Sequence, residues 1–254
     1  STCFFKLLLM RIIKLVIFLI CVFSNYLTAQ NFNAKYNFYV KNDYTNTELV
    51  FPAEFFYNTK DKVKLYKVKL GIENKGMESD NVLVSNKKSE NIIYSDYTGK
   101  VYLLEYIPSS KEENYFFFDD YEMKWKLTKE TKLKYNVRLR KASTVFRGRE
   151  YICWFAESVK ITEAPWKFKN LPGLAYEIYD TQNKFRWELV AYTENSNLIE
   201  NPFKDFKYSP ISYKEYPNLR YGLSPELKKK LSQNPNNRML EQERDGLEII
   251  FEWE

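Results

Sequence analysis

"GLAYEIYDTQNKFRWELVAYT", Gly173 to Thr193, is the stretch that decides the fold class. Two strand-like runs, Leu174 to Tyr179 and Lys184 to Tyr192, flank the turn formers Asp180-Thr181-Gln182-Asn183. That arrangement predicts an antiparallel hairpin. The same alphabet continues upstream. "KVKLYKVKLGI" alternates Val63 and Leu65, then Val68, Leu70 and Ile72, with a slip at Tyr66 that reads as a bulge. "NIIYSDYTGKVYLLEYI" is a second hairpin across Tyr97-Thr98-Gly99-Lys100. "YEMKWKL", "KLKYNVRLRKASTVF" and "GREYICWFAESV" read as three further strands, with Arg147-Gly148 at the last turn. The chain is therefore expected to be mainly β: one antiparallel sheet, as an open curved sheet, a half-barrel or a sandwich.

Helix signals are confined to the C-terminal part. In "LSPELKKKLSQ", Ser224 caps, Pro225 suits the first turn, and Leu227 and Leu231 share a face. "NPNNRMLEQERDG" repeats the device with Asn234 and Pro235. "LEIIFEWE" alternates Leu247, Ile249, Phe251 and Trp253 and reads as a last strand. Residues 201–221, rich in tyrosine and proline, read as an irregular covering segment.

The N-terminal region gives an address. From Met10, Arg11 and Lys14 precede the apolar run Leu15 to Phe23, and a short polar stretch ends at Ala29. These are the parts of a secretory signal peptide cleaved after Ala29, with an upstream extension before Met10. The apolar run is shorter than the roughly 20 residues of a spanning helix, so no integral span is expected after cleavage. Residues 1–29 hold three basic residues and no acid, so the formal charge falls from +6 to +3 in residues 30–254. That small, dispersed excess gives no basis for nucleic-acid binding. Cys3 and Cys21 leave with the signal, and Cys153 stands alone. Residues 30–254 are long enough to form a single domain that buries a core without disulfides.

Candidate chemistry is sparse. The chain has no histidine, which removes Ser-His-Asp and Cys-His arrangements. One remaining cysteine excludes a cysteine-based zinc site, and no cofactor fingerprint is present. Asp119, Asp120 and Glu122 come after the aromatic run "NYFFF" and are candidates for carboxylate-dependent hydrolysis or for a turn of solvated acids. Cys153, in "YICWFA", reads as a packed small apolar residue. "LKKK" at 227–230 reads as a solvated helix face.

Upstream of the hairpin lies "APWKFKNLPGL", where Pro165, Pro172 and Gly173 crowd together in a chain with 7 glycines and 9 prolines. Pro172 fixes φ and Gly173 has conformational freedom, so the chain is expected to turn sharply into the strand at Leu174. Trp154, Trp166 and Phe168 are expected to pack beneath that corner, and they are the candidate binding residues. The order of these elements resembles the GLPGLI family, exported proteins of Gram-negative bacteria. The elements are Lys141-Ala142, Trp154-Phe155, Ala164-Pro165-Trp166-Lys167-Phe168 and Asn170-Leu171-Pro172-Gly173-Leu174-Ala175. The resemblance covers about residues 121–195. It departs at Ala164, Ala175, Leu139 and Asn170, of which Asn170 can still adopt a positive φ. It implies a periplasmic or outer-membrane location and a structural role for the motif residues, and it supplies no reaction.

Three functions remain open. One is a non-catalytic envelope module with a concave face for an apolar or glycan ligand. The second is an assembly partner of another envelope protein through strand pairing. The third is the carboxylate hydrolase.

Overall fold

The computed structural model describes residues 31–42, 45–70, 89–107, 114–195, 198–223 and 243–254. The expected signal peptide and the two expected helices beyond Ser224 lie outside the described residues. Among the described residues, twelve strands form one open sheet. In chain order they are β1 (Asn31–Asn42), β2 (Thr47–Asn58), β3 (Val63–Leu70), β4 (Ser89–Ser95), β5 (Val101–Tyr106) and β6 (Asn114–Asp119). The second half comprises β7 (Lys126–Lys134), β8 (Val137–Phe146), β9 (Arg149–Ala156), β10 (Leu174–Asp180), β11 (Phe185–Asn195) and β12 (Ile211–Ser212). A 3-10 turn, Tyr213–Glu215, leads into the short helix α1, Tyr216–Tyr221. The spatial order is β12-β6-β5-β4-β3-β2-β1-β11-β10-β9-β8-β7, antiparallel except for β12 on β6.

The decisive hairpin forms as read, β10 to β11, and β11 pairs onward with β1. Pro52 sits inside β2, opposite Asn37 of β1, where the pairing of β2 with β3 has not begun, so its missing N–H breaks no ladder.

Topology forces the sheet to curl. β6 and β7 lie ten strand spacings apart, about 48 Å if the sheet were flat. The chain from Asp119 to Lys126 reaches at most about 25 Å over its seven residue steps. The two ends of the sheet must therefore approach one another, and side chains from both ends do meet.

Three expectations are corrected. β3 has no bulge at Tyr66: Lys64, Tyr66 and Val68 face the concave side, while Leu65 packs outward against Tyr94 and Phe203. Both faces are buried because residues 198–206 cover the convex side, with Phe203 and Phe206 on Phe116. Next, Tyr121–Trp125 is not strand. The strands β7 and β8 come after it and turn at Tyr135-Asn136, both at positive φ. Finally, "LEIIFEWE" is not a strand. Its buried residues are Glu248 and Phe251 rather than the alternating apolar set, because Glu248 is drawn inward by cations. Ile249 and Ile250 both donate to the Arg147 carbonyl, so the segment bends over the β8–β9 turn. The covering segment 201–221 also holds β12 and α1 beside its irregular part.

Residues 157–173 fold into part of the concave trough, with 164–168 buried. Three consecutive carbonyls of this segment accept hydrogen bonds from the surrounding wall, and others pair within the segment. Tyr121 Oη donates to Lys167 O at 2.7 Å, Lys64 Nζ to Phe168 O at 3.1 Å, and Trp125 Nε1 to Lys169 O at 2.9 Å. Asn170 adopts φ +65° and donates to Met123 O. Gly173 is required for a different reason from conformational freedom: a Cβ there would lie 2.2 Å from Ala156 O. Gly173→Ala should lower unfolding stability by at least about 2 kcal/mol, measured by urea denaturation, because the clash is with backbone and cannot relax cheaply.

Candidate functional site: a cavity beside a buried ion cluster

The loop presents its side chains in alternating directions. Trp166, held at φ +54°, stacks on Trp187 of β11 at 5.8 Å and lines a cavity. Lys167 points away into an ion cluster. Phe168 packs against Tyr151 and Trp125, fully buried and outside the cavity lining. A non-glycine residue at positive φ in a buried site is sustained only by its surroundings, here four aromatic rings.

The ion cluster ties distant parts of the chain together. Arg147 grips Asp119 with two hydrogen bonds of 2.8 and 2.9 Å and reaches Glu248 at 2.6 Å. Lys167 Nζ lies 2.8 Å from Asp119 Oδ2 and 2.9 Å from both oxygens of Glu248. The four side chains are at most 2% exposed. The Lys167 ammonium also sits 3.4 Å from the centre of the Tyr213 ring. Burial works to raise the Asp119 carboxyl, yet Lys167 and Arg147 outweigh it and hold it below its ordinary value.

The cavity lies next to this cluster and has a volume of about 410 Å³. Its walls are mainly apolar: Phe38 and Val40 of β1, Tyr66 and Val68 of β3, Ile93 of β4, Leu103 of β5. Trp166 and Trp187 form one side, and Trp187 Nε1 donates to Tyr66 Oη at 3.1 Å. Glu105 of β5, with Arg220 and Tyr216 of α1, brings polar groups to the lining. Tyr213 Oη links cluster and cavity: it bonds Glu248 and lies 3.5 Å from Glu105 Oε2. Burial raises the Glu105 carboxyl from 4.5 to about 7, against the lowering effect of Lys167. Glu105 is partly buried and belongs to the cavity lining.

The expected site residues are dispersed. Trp166 reaches the cavity. Trp154 lies on the opposite face of β9 from Tyr151 and Phe155, under the Lys132 ammonium at 4.5 Å and bonded to Tyr179. That face is held by Lys132 and Lys134 on Glu177. Among the motif residues, Ala142, Pro165, Leu171 and Leu174 are buried, Lys141 pairs with Glu130, and Pro172 is exposed. The three acids do not converge: Asp119 is consumed by the cluster, while Asp120 and Glu122 are exposed. Cys153 is fully buried, and burial pushes its thiol well up.

The reading of the sequence missed Glu105, Glu248, Lys64 and Arg147. A parity signal was present for one: Val101, Leu103 and Glu105 share a register, so an acid stands on an apolar inward face.

No protein-family model and no curated protein matches the chain. Among solved structures, PNGF-II in its C2 crystal form is 14% identical over 72% of this chain and 31% of its own, with a TM-score of 0.47. The P21 form of PNGF-II gives 12%, 76%, 33% and 0.49. The chain thus spans about a third of PNGF-II. A putative outer membrane lipoprotein-sorting protein domain from Vibrio parahaemolyticus is 10% identical, over 70% of this chain and 91% of that one, with a TM-score of 0.34. Likeness at this level carries no functional inference.

The charges generate two expectations. Lys167→Met should lower stability by about 3–5 kcal/mol in urea denaturation, because it leaves two buried carboxylates sharing the single Arg147 guanidinium. Lys132→Met on the outer face should cost much less. The pH profile has two limbs. Glu105 holds its proton more tightly folded than unfolded, so stability falls as pH rises from 4.5 to about 7. Asp119 holds its proton less tightly when folded, so stability also falls as pH drops below 3.8. The urea midpoint should therefore be higher near about pH 4.5 than near about pH 7.5, and Glu105→Gln should flatten that difference.

Proposed function

We propose that this chain is a non-catalytic binding protein of the bacterial envelope, carrying an apolar ligand in the concave cavity. The observation that carries the reading is the cavity itself: about 410 Å³, walled mainly by aliphatic and aromatic side chains, with Lys41, Lys184, Asp245, Glu105 and Arg220 as charged members of the lining. That is the composition of small-molecule sites, where apolar walls bind and a few polar groups orient. Trp166, in its strained conformation, forms part of the wall. Membership of the GLPGLI family and export by the N-terminal segment are parts of the same proposal, resting on the motif order and the charge and hydropathy of residues 10–29. Among the described residues no helix is long and apolar enough to cross a membrane. The apolar walls favour an apolar ligand over a glycan, which needs more hydrogen-bonding partners.

Native mass spectrometry of the chain purified from a Gram-negative envelope tests the reading. The expected result is a persistent adduct on the order of a few hundred daltons, lost on denaturation. Val40→Trp, which fills the cavity from its wall, should abolish the adduct while the protein still unfolds cooperatively. A bare wild-type protein that also binds no added apolar probe removes the proposal.

A further inference from the structure

The cavity has one feature that an apolar container does not need. Glu105 stands on the inward register of β5, on the same face as Leu103, and lines the cavity. Tyr213 Oη of the preceding turn donates to its Oε2 at 3.5 Å and Tyr216 of α1 also bonds the carboxyl, while Arg220 from α1, Lys167 from the loop and Glu248 from the C-terminal segment act on it by charge. Lys167 is fully engaged by Asp119 and Glu248, so it attracts Glu105 from a distance without bonding it. We infer that Glu105 is the polar anchor of the ligand, and that the ligand is a long apolar molecule ending in a carbonyl oxygen that accepts a hydrogen bond from the Glu105 carboxyl. The inference rests on the proposal that the cavity holds an apolar ligand.

The charges choose between ligand classes. An ammonium end group at Glu105 would add a positive charge beside Arg220 and within reach of Lys167. A carbonyl adds none. The acceptor can belong to an ester, an amide or an undissociated acid. A carboxylate is also admissible, because it can share the Glu105 proton next to Arg220. Expelling water from the cavity on binding disfavours the charged form of Glu105 further, which keeps it a donor. Burial already places its titration near neutrality, at about 7. Binding therefore takes place with Glu105 protonated and weakens as the pH rises.

The test uses the full chain and three probes of one length: methyl dodecanoate, dodecanoic acid and dodecylamine. Binding is read from the change in tryptophan emission, to which Trp166 and Trp187 contribute from the cavity lining. The ester is the cleanest probe, because it does not titrate. Its affinity should fall about 30-fold between about pH 5.5 and about pH 8.5, in step with deprotonation of one group near 7. Glu105→Gln, which keeps a donor and cannot ionise, should bind the ester with the same affinity at both pH values. The acid should bind with the same sense of pH dependence, and whether it or the ester binds more tightly distinguishes a free acid from an esterified ligand. Dodecylamine binding more tightly than the ester overturns the anchor chemistry. Ester binding that does not change with pH in the wild type also overturns it, while leaving the cavity reading in place. If none of the three probes binds, the cavity reading fails and the anchor fails with it.

Discussion

The short crossing from β6 to β7 governs this structure. Two strands at opposite ends of a twelve-stranded order are joined by a segment too short to span a flat sheet, so the sheet must curl. A curled sheet creates a trough whose inner face is apolar, and that face needs cover. Residues 157–173 supply it by folding inward, and 243–254 closes one end. The central part of the loop, 164–168, then lies buried, and Tyr121, Lys64 and Trp125 each meet a carbonyl of the stretch 167–169.

The ion cluster makes that arrangement specific. Burying Arg147, Lys167, Asp119 and Glu248 costs desolvation for each, and their mutual hydrogen bonds offset it only when all four are present. An apolar substitute of equal volume could match the stability, but it would not fix position. The cluster joins the end of β6, the β8–β9 turn, the loop and the C-terminal segment at one point, so it sets where Trp166 stands on the cavity side of the loop. It also supplies Lys167 and Glu248, two of the charges that act on Glu105.

Much of the sheet was legible because hairpins are local. Turn residues at 97–100, 147–148 and 180–183 sit between runs of strand formers, and the chain turns at each of them. Elements whose partners are distant were not legible. Glu248 becomes buried through cations 81 and 101 residues away, and no local pattern announces that. Leu65 and Tyr66 are both buried because one chain segment covers the convex face while another fills the concave one. Periodicity assumes one buried face and misreads such a strand as bulged. The corner at Gly173 was legible as a corner, but its cause, the close approach of Ala156, belongs to tertiary structure. The candidate site lies almost wholly in this second category. Of the three residues expected to bind, only Trp166 lines the cavity, since the face of Trp154 and the depth of Phe168 depend on packing.

β1 is the first described strand in the chain and lies in the interior of the sheet, between β2 and β11. Its partner on one side is the next strand; its partner on the other ends at Asn195. A chain emerging N-terminus first can therefore build β1 to β6 as consecutive hairpins, yet it leaves a twelve-residue strand edge open until β11 has been delivered. During that interval the apolar side chains of β1, among them Phe32, Tyr36 and Phe38, have no inner cover. The fold thus carries a built-in waiting period, and a factor that shields open strand edges would act on this chain there.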